Sequence, residues 1–201
     1  MRYGMVIDLL RCTGCNSCTV ACRAEQGTPA EVHFHKVMKY EIGKYPNSKM
    51  KFLPMPCMHC QDPSCEKVCP TGATYIHPDG LVLIDAEKCI GCRACMVACP
   101  YESRQFLWEI KNYYLGNLPT PYEKIKQKGF EKGTVVKCNF CLHRLEEGQD
   151  PACVATCPSI ARTFGDLDDP ESEVSKLITL HRGTPFRMEL GTEPSVYYIK
   201  G

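Results

Sequence analysis

The sequence carries almost no excess of charge of either sign. Its 24 Lys and Arg face 23 Asp and Glu, a formal net charge of +1, which argues against a polyanion such as nucleic acid as the main partner. No apolar run approaches the ~18 residues of a membrane span, there is no low-complexity tract, and there is one tryptophan. The opening residues, MRYGMVID, have neither a long apolar stretch nor a small-residue cleavage site and do not read as a secretory signal. Common catalytic signatures are also missing: no G-x-S-x-G, no Walker loop, no dinucleotide-binding glycine fingerprint and no H-E-x-x-H. Nothing marks a place where a substrate is transformed. The apolar share, 44% of 201 residues, is that of a globular chain with room for one or two small domains.

What the sequence has in excess is cysteine, 16 residues in all. They fall in four runs: Cys12, Cys15, Cys18 and Cys22; Cys57, Cys60, Cys65 and Cys69; Cys89, Cys92, Cys95 and Cys99; Cys138, Cys141, Cys153 and Cys157. None is left over for a nucleophilic thiol. Disulfide scaffolds suit small exported domains whose cysteines are separated by loops, not thiols two or three residues apart. Zinc knuckles commonly contribute two ligands each, whereas these loops offer three.

Every run closes with C-x3-C, and Pro70, Pro100 and Pro158 follow three of them, with Arg23 after the first. The pattern C-x2-C-x2-C-x3-C-P is the bacterial ferredoxin run for [4Fe-4S] clusters, in which the fourth cysteine ligates the neighbouring cluster. Small residues inside the loops (Gly14, Gly91, Ala94) let backbone N–H groups approach the sulfurs. Between runs two and three the sequence predicts a strand at 73–76, a turn at Pro78-Asp79-Gly80 and a strand at 81–84, the layout of a two-cluster ferredoxin. Cys57, Cys60, Cys65 and Cys99 are then expected to hold one cluster, and Cys89, Cys92, Cys95 and Cys69 its neighbour. A strand at YGMVID before run one and another at ARTFGD after run four would pair across the chain. That pairing makes a second module with its halves in reversed order and the first inserted between them. Cys12, Cys15, Cys18 and Cys157 would hold one of its clusters, and Cys138, Cys141, Cys153 and Cys22 the other.

Sixteen thiolates around four 2+ cores would bring the formal +1 to about −7. Cations near the runs would favour the reduced, more negative cluster; Arg11, Arg23, Lys88, Arg93 and Lys137 are candidates by position. His59 and His143 lie inside runs two and four as hydrogen-bonding candidates, since no run needs a histidine ligand. His33, His35, His77 and His181 read as surface or turn residues.

The expected fold is α+β: two bacterial-ferredoxin-like (βαβ-type) modules with small hairpins and short helices, plus an insertion and a C-terminal helix and arm. Residues 1–54 and 137–168 form the two halves of one module and 55–100 the other. The aromatic and lysine-rich insertion 101–136 suits a partner interface. In 169–201, Asp169 reads as an N-cap before Pro170, with Val174, Leu177, Ile178 and His181 on one helix face and Gly183 as the stop. SVYYIK reads as a last strand or an extended arm on a partner.

The four runs, the longer spacing of the fourth, CNFCLHR and GDLDDP together resemble one family over residues 1–180. It is the iron–sulfur electron-transfer (beta) subunits of dimethyl-sulfoxide-reductase-type molybdopterin oxidoreductases. The tail GTEPSVYYIK is similar to those of arsenate respiratory reductase and hydroxybenzene transhydroxylase small subunits, and polysulfide and thiosulfate reductase subunits are similarly close. The resemblance implies a non-catalytic subunit of an oxidoreductase complex, active in anaerobic respiration. It implies the same ligand pairing and four [4Fe-4S] clusters. It further implies a molybdenum or tungsten pterin catalytic partner and a quinone-linked membrane subunit or a soluble carrier. Co-export with the catalytic subunit would put the chain at the periplasmic side of the cell envelope; a cytoplasmic complex is the alternative. The competing reading is a similar subunit of a hydrogenase or formate dehydrogenase.

Overall fold

The computed structural model describes residues 1–114, 116 and 118–200; Leu115 and Asn117 of the insertion and the terminal Gly201 lie outside the described residues. In chain order the elements are β1 (Tyr3–Asp8), α1 (Ser17–Gln26), β2 (Lys36–Ile42), β3 (Lys49–Met55), α2 (Ser64–Lys67), β4 (Thr74–Ile76) and β5 (Val82–Ile84). They continue as α3 (Ala94–Val97), β6 (Arg104–Phe106), α4 (Pro121–Lys126), β7 (Val135–Lys137), α5 (Leu142–Glu146), α6 (Ala152–Ala155), β8 (Arg162–Asp166), α7 (Glu173–His181), β9 (Thr184–Pro185) and β10 (Val196–Ile199).

The largest sheet has the order β8-β1-β10-β9. β1 pairs antiparallel with β8, Tyr3 opposite Asp166 and Ile7 opposite Arg162, as the two ends of the cysteine pattern suggested. On its other edge β1 pairs in parallel with β10, Met5 opposite Val196. The last segment is therefore a buried strand and not an arm: Val196, Tyr198 and Ile199 are all buried. With side chains alternating across the pleat, Met5 and Ile7 enter the central core with Met58, Leu81, Leu83, Tyr101, Phe140 and Tyr198. Val6 faces the other way and packs with Val174 and Ile199 beneath α7.

Two further two-stranded sheets frame the cysteine runs. The hairpin β4-β5 between runs two and three lies where the turn signal put it, trimmed by a residue at its first strand and its second. β6 pairs with β7, Arg104 opposite Lys137, so the insertion leaves run three and re-enters run four through one short ladder. Tyr113 and Tyr122 are turned inward: Tyr113 donates to the Thr28 carbonyl at 2.7 Å and Tyr122 to that of Ala24. These two are contacts to the α1 region made by rings that stay partly exposed; Trp108 and Tyr114 are more exposed still.

Three features differ from expectation. The β2-β3 hairpin has no counterpart in the sequence reading; β2 mixes lysine with Met, Tyr and Ile and is largely exposed, while Leu53 and Met55 of β3 pack against the central core. α7 starts at Glu173 with Ser172 as its cap, because Asp169 closes a turn of its own by accepting the Glu171 N–H at 2.8 Å, while Ser172 accepts from Ser175. Its C-terminal left-handed residue is Arg182, after which Gly183 N–H returns to the Ile178 carbonyl; His181 stays exposed. Among the described residues no helix is long and apolar enough to cross a membrane.

Candidate metal centres

Four cavities, each with 320 to 350 Å3 of space free of protein atoms that includes some open solvent, are walled by four cysteines apiece. Cavity I is lined by Cys12, Cys15, Cys18 and Cys157. Cavity II is lined by Cys22, Cys138, Cys141 and Cys153. Cavity III is lined by Cys57, Cys60, Cys65 and Cys99. Cavity IV is lined by Cys69, Cys89, Cys92 and Cys95. In every case three thiols come from one run and the fourth from another. The exposed cysteines are Cys15 in cavity I and Cys92 in cavity IV.

The loops that bring the thiols together share one backbone device. The residue two after the first cysteine of each run has a positive φ: Gly14 at 66°, His59 at 43°, Gly91 at 68° and Phe140 at 53°. In run four that turn tips the Phe140 N–H toward sulfur, and N–H groups outside the turns reach other cysteines. Thr74 N–H points to Cys69 Sγ at 3.4 Å, Val135 to Cys89 at 3.5 Å, Phe140 to Cys138 at 3.5 Å and Ala161 to Cys157 at 3.3 Å. The Gln26 amide donates to Cys141 Sγ at 3.3 Å.

Such donors suit anionic sulfur, and hydrogen bonds hold Cys15 and Cys69 below the usual thiol range, yet the more deeply buried thiols are pushed toward the protonated state. Burial raises Cys153 to about 11 and Cys60 to about 12, and lifts Cys22 and Cys138 further. Thiolates at neutral pH in these positions require positive charge at the centre of each quartet. Among the described residues no three Cys, His, Asp or Glu converge on a single ion's position. Thiols standing around a cavity wall match a multi-iron core better than one zinc ion. The donors, the cavities and the N–H groups together fit [4Fe-4S] clusters.

The cationic candidates divide. Arg93 lines cavity IV and lies over the rings of Phe106 and Trp108. Lys137 is buried, its ammonium on the Cys138 carbonyl at 2.6 Å. Arg23 instead donates to Tyr113 Oη at 3.1 Å, and Lys88 pairs with Asp85 at 3.0 Å. Arg11 is exposed, and His143 meets Glu25 at 2.9 Å. His59 is wholly buried, with its Nδ1 accepting the Val82 N–H at 3.1 Å. Burial, with Lys137 adding to it, keeps the ring well below the usual imidazole range and neutral.

Sequence reasoning missed two buried arginines and one histidine. Arg104 donates through Nη2 to Cys65 Sγ and through Nη1 to Thr74 Oγ1, both at 2.9 Å. Arg162 reaches Cys153 Sγ at 3.8 Å, Met5 Sδ at 3.5 Å and His35 Nε2 at 2.5 Å. His35, read from sequence as a surface residue, is buried because it receives that guanidinium and also meets Thr19 Oγ1. The usable signal was spacing: each arginine lies five residues after the closing cysteine of its run, Cys99 or Cys157, and begins a strand.

A family model described as a 4Fe-4S dicluster domain matches residues 48–114 and 117–167, and a second of the same description matches residues 11–73. The chain is 47% identical to a selenate reductase subunit of Mesobacillus selenatarsenatis, over 99% of this chain and 72% of that protein. It is 41% identical to the arsenate respiratory reductase iron-sulfur subunit of Shewanella sp., over 100% of this chain and 97% of the relative. To a polysulfide reductase polypeptide of Wolinella succinogenes it is 34% identical, over 98% of this chain and 94% of the relative.

Proposed function

The chain belongs to the 4Fe-4S dicluster family of iron–sulfur reductase subunits, and on that premise we propose that it relays electrons through four [4Fe-4S] clusters, one in each of cavities I to IV. The observation that carries the reading is the fourfold repetition of one arrangement, three thiols from one run and one from another around equal spaces. When bound, such clusters supply one-electron storage at potentials spanning roughly −700 to +450 mV.

The chain's own residues would hold the clusters, aim N–H groups at their sulfurs and exclude water from the inner pair. Cavities III and IV would form one ferredoxin-like module, nested inside a second made of cavities I and II, whose halves β1 and β8 tie together. The exposed Cys15 and Cys92 bring the two outer sites to the surface, which suits exchange with partners at either end. By analogy with the selenate, arsenate and polysulfide reductase relatives, the electron partner at one end would be a molybdenum or tungsten pterin catalytic subunit. The other would be a quinone-linked membrane subunit or a soluble carrier, with the complex at the cell envelope.

Iron and acid-labile sulfide analysis of the anaerobically purified chain tests the cluster count: about sixteen of each are expected for four clusters, and zinc with little iron overturns the reading. Purification of the native complex identifies the partner. A pterin-containing large chain is expected, and a nickel-containing one would place the protein in a hydrogenase instead.

A further inference from the structure

Arg104 and Arg162 are both almost fully buried, at 4% exposure each. Neither takes part in any ion pair with Asp or Glu among the described residues. A guanidinium removed from water without a counter-charge costs several kcal/mol, roughly, and such groups persist only where anionic partners surround them. The surroundings here are sulfur. Arg104 lines cavity III and cavity IV, the one residue common to both walls; it bonds Cys65 of the first and faces Cys95 of the second. Arg162 lines cavity I and reaches Cys153 of cavity II, while Cys18 and Cys157 of cavity I also face it.

The two sites are equivalent by position. Each arginine opens the strand that follows its run, β6 or β8, five residues after the closing cysteine. The ladders hold both side chains inward: Arg104 stands opposite Lys137, and Arg162 opposite Ile7. Thr74 anchors one guanidinium and His35 the other. His35 accepts that bond, so its ring is neutral and brings no charge of its own.

We infer that Arg104 and Arg162 are matched positioning residues, Arg104 between the clusters of cavities III and IV and Arg162 between those of I and II, whose fixed positive charge raises the potentials of both neighbours and screens their mutual repulsion. The inference rests on the four-cluster reading. A charge that faces two anionic centres acts on both at once. Each guanidinium therefore favours the more negative, reduced form on either side. It also weakens the penalty that one reduced neighbour places on the other.

The test is a set of full-length variants, Arg104→Gln, Arg104→Lys, Arg162→Gln and Arg162→Lys, titrated electrochemically in the assembled complex and read by paramagnetic resonance, with iron and sulfide measured on each. With full iron, R104Q is expected to lower the potentials of the clusters in cavities III and IV. The expected size is at least a tenfold change in the one-electron reduction constant, about 59 mV, with those in I and II unmoved. R162Q gives the reverse pattern, and each Lys variant, which keeps the charge, lies closer to wild type. Loss of iron from one pair in the Gln variant but not in the Lys variant also supports the role, since charge alone separates them. Unchanged potentials at full iron, or equal loss of iron in Gln and Lys variants, overturn it. A wild-type chain with far fewer irons than four clusters contain refutes the cluster reading itself, a result distinct from either.

Discussion

The imidazole of His59 stacks on the ring of Phe140 with centroids 3.8 Å apart and planes 22° from parallel. The two residues hold the same place in runs two and four, two positions after the first cysteine. At that place runs one and three have glycine. A Cβ on Gly14 would meet the Phe52 ring at 2.2 Å, and one on Gly91 the Gly133 carbonyl oxygen at 2.0 Å. Runs two and four carry rings in a left-handed backbone that costs about 1–2 kcal/mol each, offset by burial of two side chains against each other near Cys57 of cavity III and Cys138 of cavity II.

Phe140→Ala is therefore expected to destabilise the cluster-loaded protein by about 3–5 kcal/mol, the range for a buried aromatic removed from a packed core. Thermal unfolding under anaerobic conditions measures it. Phe140 also meets Phe164 edge-on at 5.3 Å, so a loss near that of an exposed side chain would contradict the junction described.

Glycine substitutions separate backbone strain from crowding. Gly72 and Gly91 have nearly the same φ, 65° and 68°, but only Gly91 has atoms where a side chain would go. Gly72→Ala should cost about 1–2 kcal/mol and leave the metal content intact. Gly91→Ala should cost more and deplete cavity IV, lowering iron by about four atoms per chain.

Cys157→Ser separates the shared ligands. Although Cys157 belongs to run four in sequence, it stands with Cys12, Cys15 and Cys18. Its loss is expected to alter the paramagnetic signal of the cluster in cavity I and to leave that of cavity II unchanged; the opposite result would reassign the thiol.

Glu25 on α1 joins three elements. It accepts from His143 Nε2 at 2.9 Å and Arg144 Nη1 at 3.1 Å on or beside α5, with Lys126 of α4 at 3.8 Å. The His143 hydrogen bond, aided by the charges of Arg144 and Lys126, holds its carboxyl below the usual range. A carboxylate lowered in the folded state stabilises above its unfolded pKa, and the gain fades only as pH falls through the lowered value. Glu25→Gln should cost about 1 kcal/mol at neutral pH. The gap should persist at about pH 6, where the carboxylate is still ionised, as denaturant unfolding would show.

How much of this was legible in the sequence follows the range of the forces involved. Cysteine gaps of two and three residues fix a loop locally, so the runs and the β4-β5 turn at Pro78-Asp79-Gly80 could be read directly. β1 and β8 were legible as candidate strands flanking the pattern. The parallel partner β10 was left open between strand and arm, because what buries Tyr198 is a Pro54 carbonyl at 2.8 Å, 144 residues away. Arg104 and Arg162 were overlooked because an arginine in sequence reads as solvated; only the sulfurs gathered around it in space reveal otherwise. The tyrosines of the insertion read as a surface for others, and the fold turns Tyr113 and Tyr122 onto its own first helix.

The place of β10 beside β1 bears on biosynthesis. The strand opening the chain has one edge covered by residues 196–199, so its sheet stays incomplete until those residues have left the ribosome. Residues 55–106, which carry every cysteine of cavities III and IV, have emerged long before. Metal can reach those eight thiols on the nascent polypeptide, whereas cavity I needs Cys157 and cavity II Cys153, which are made later.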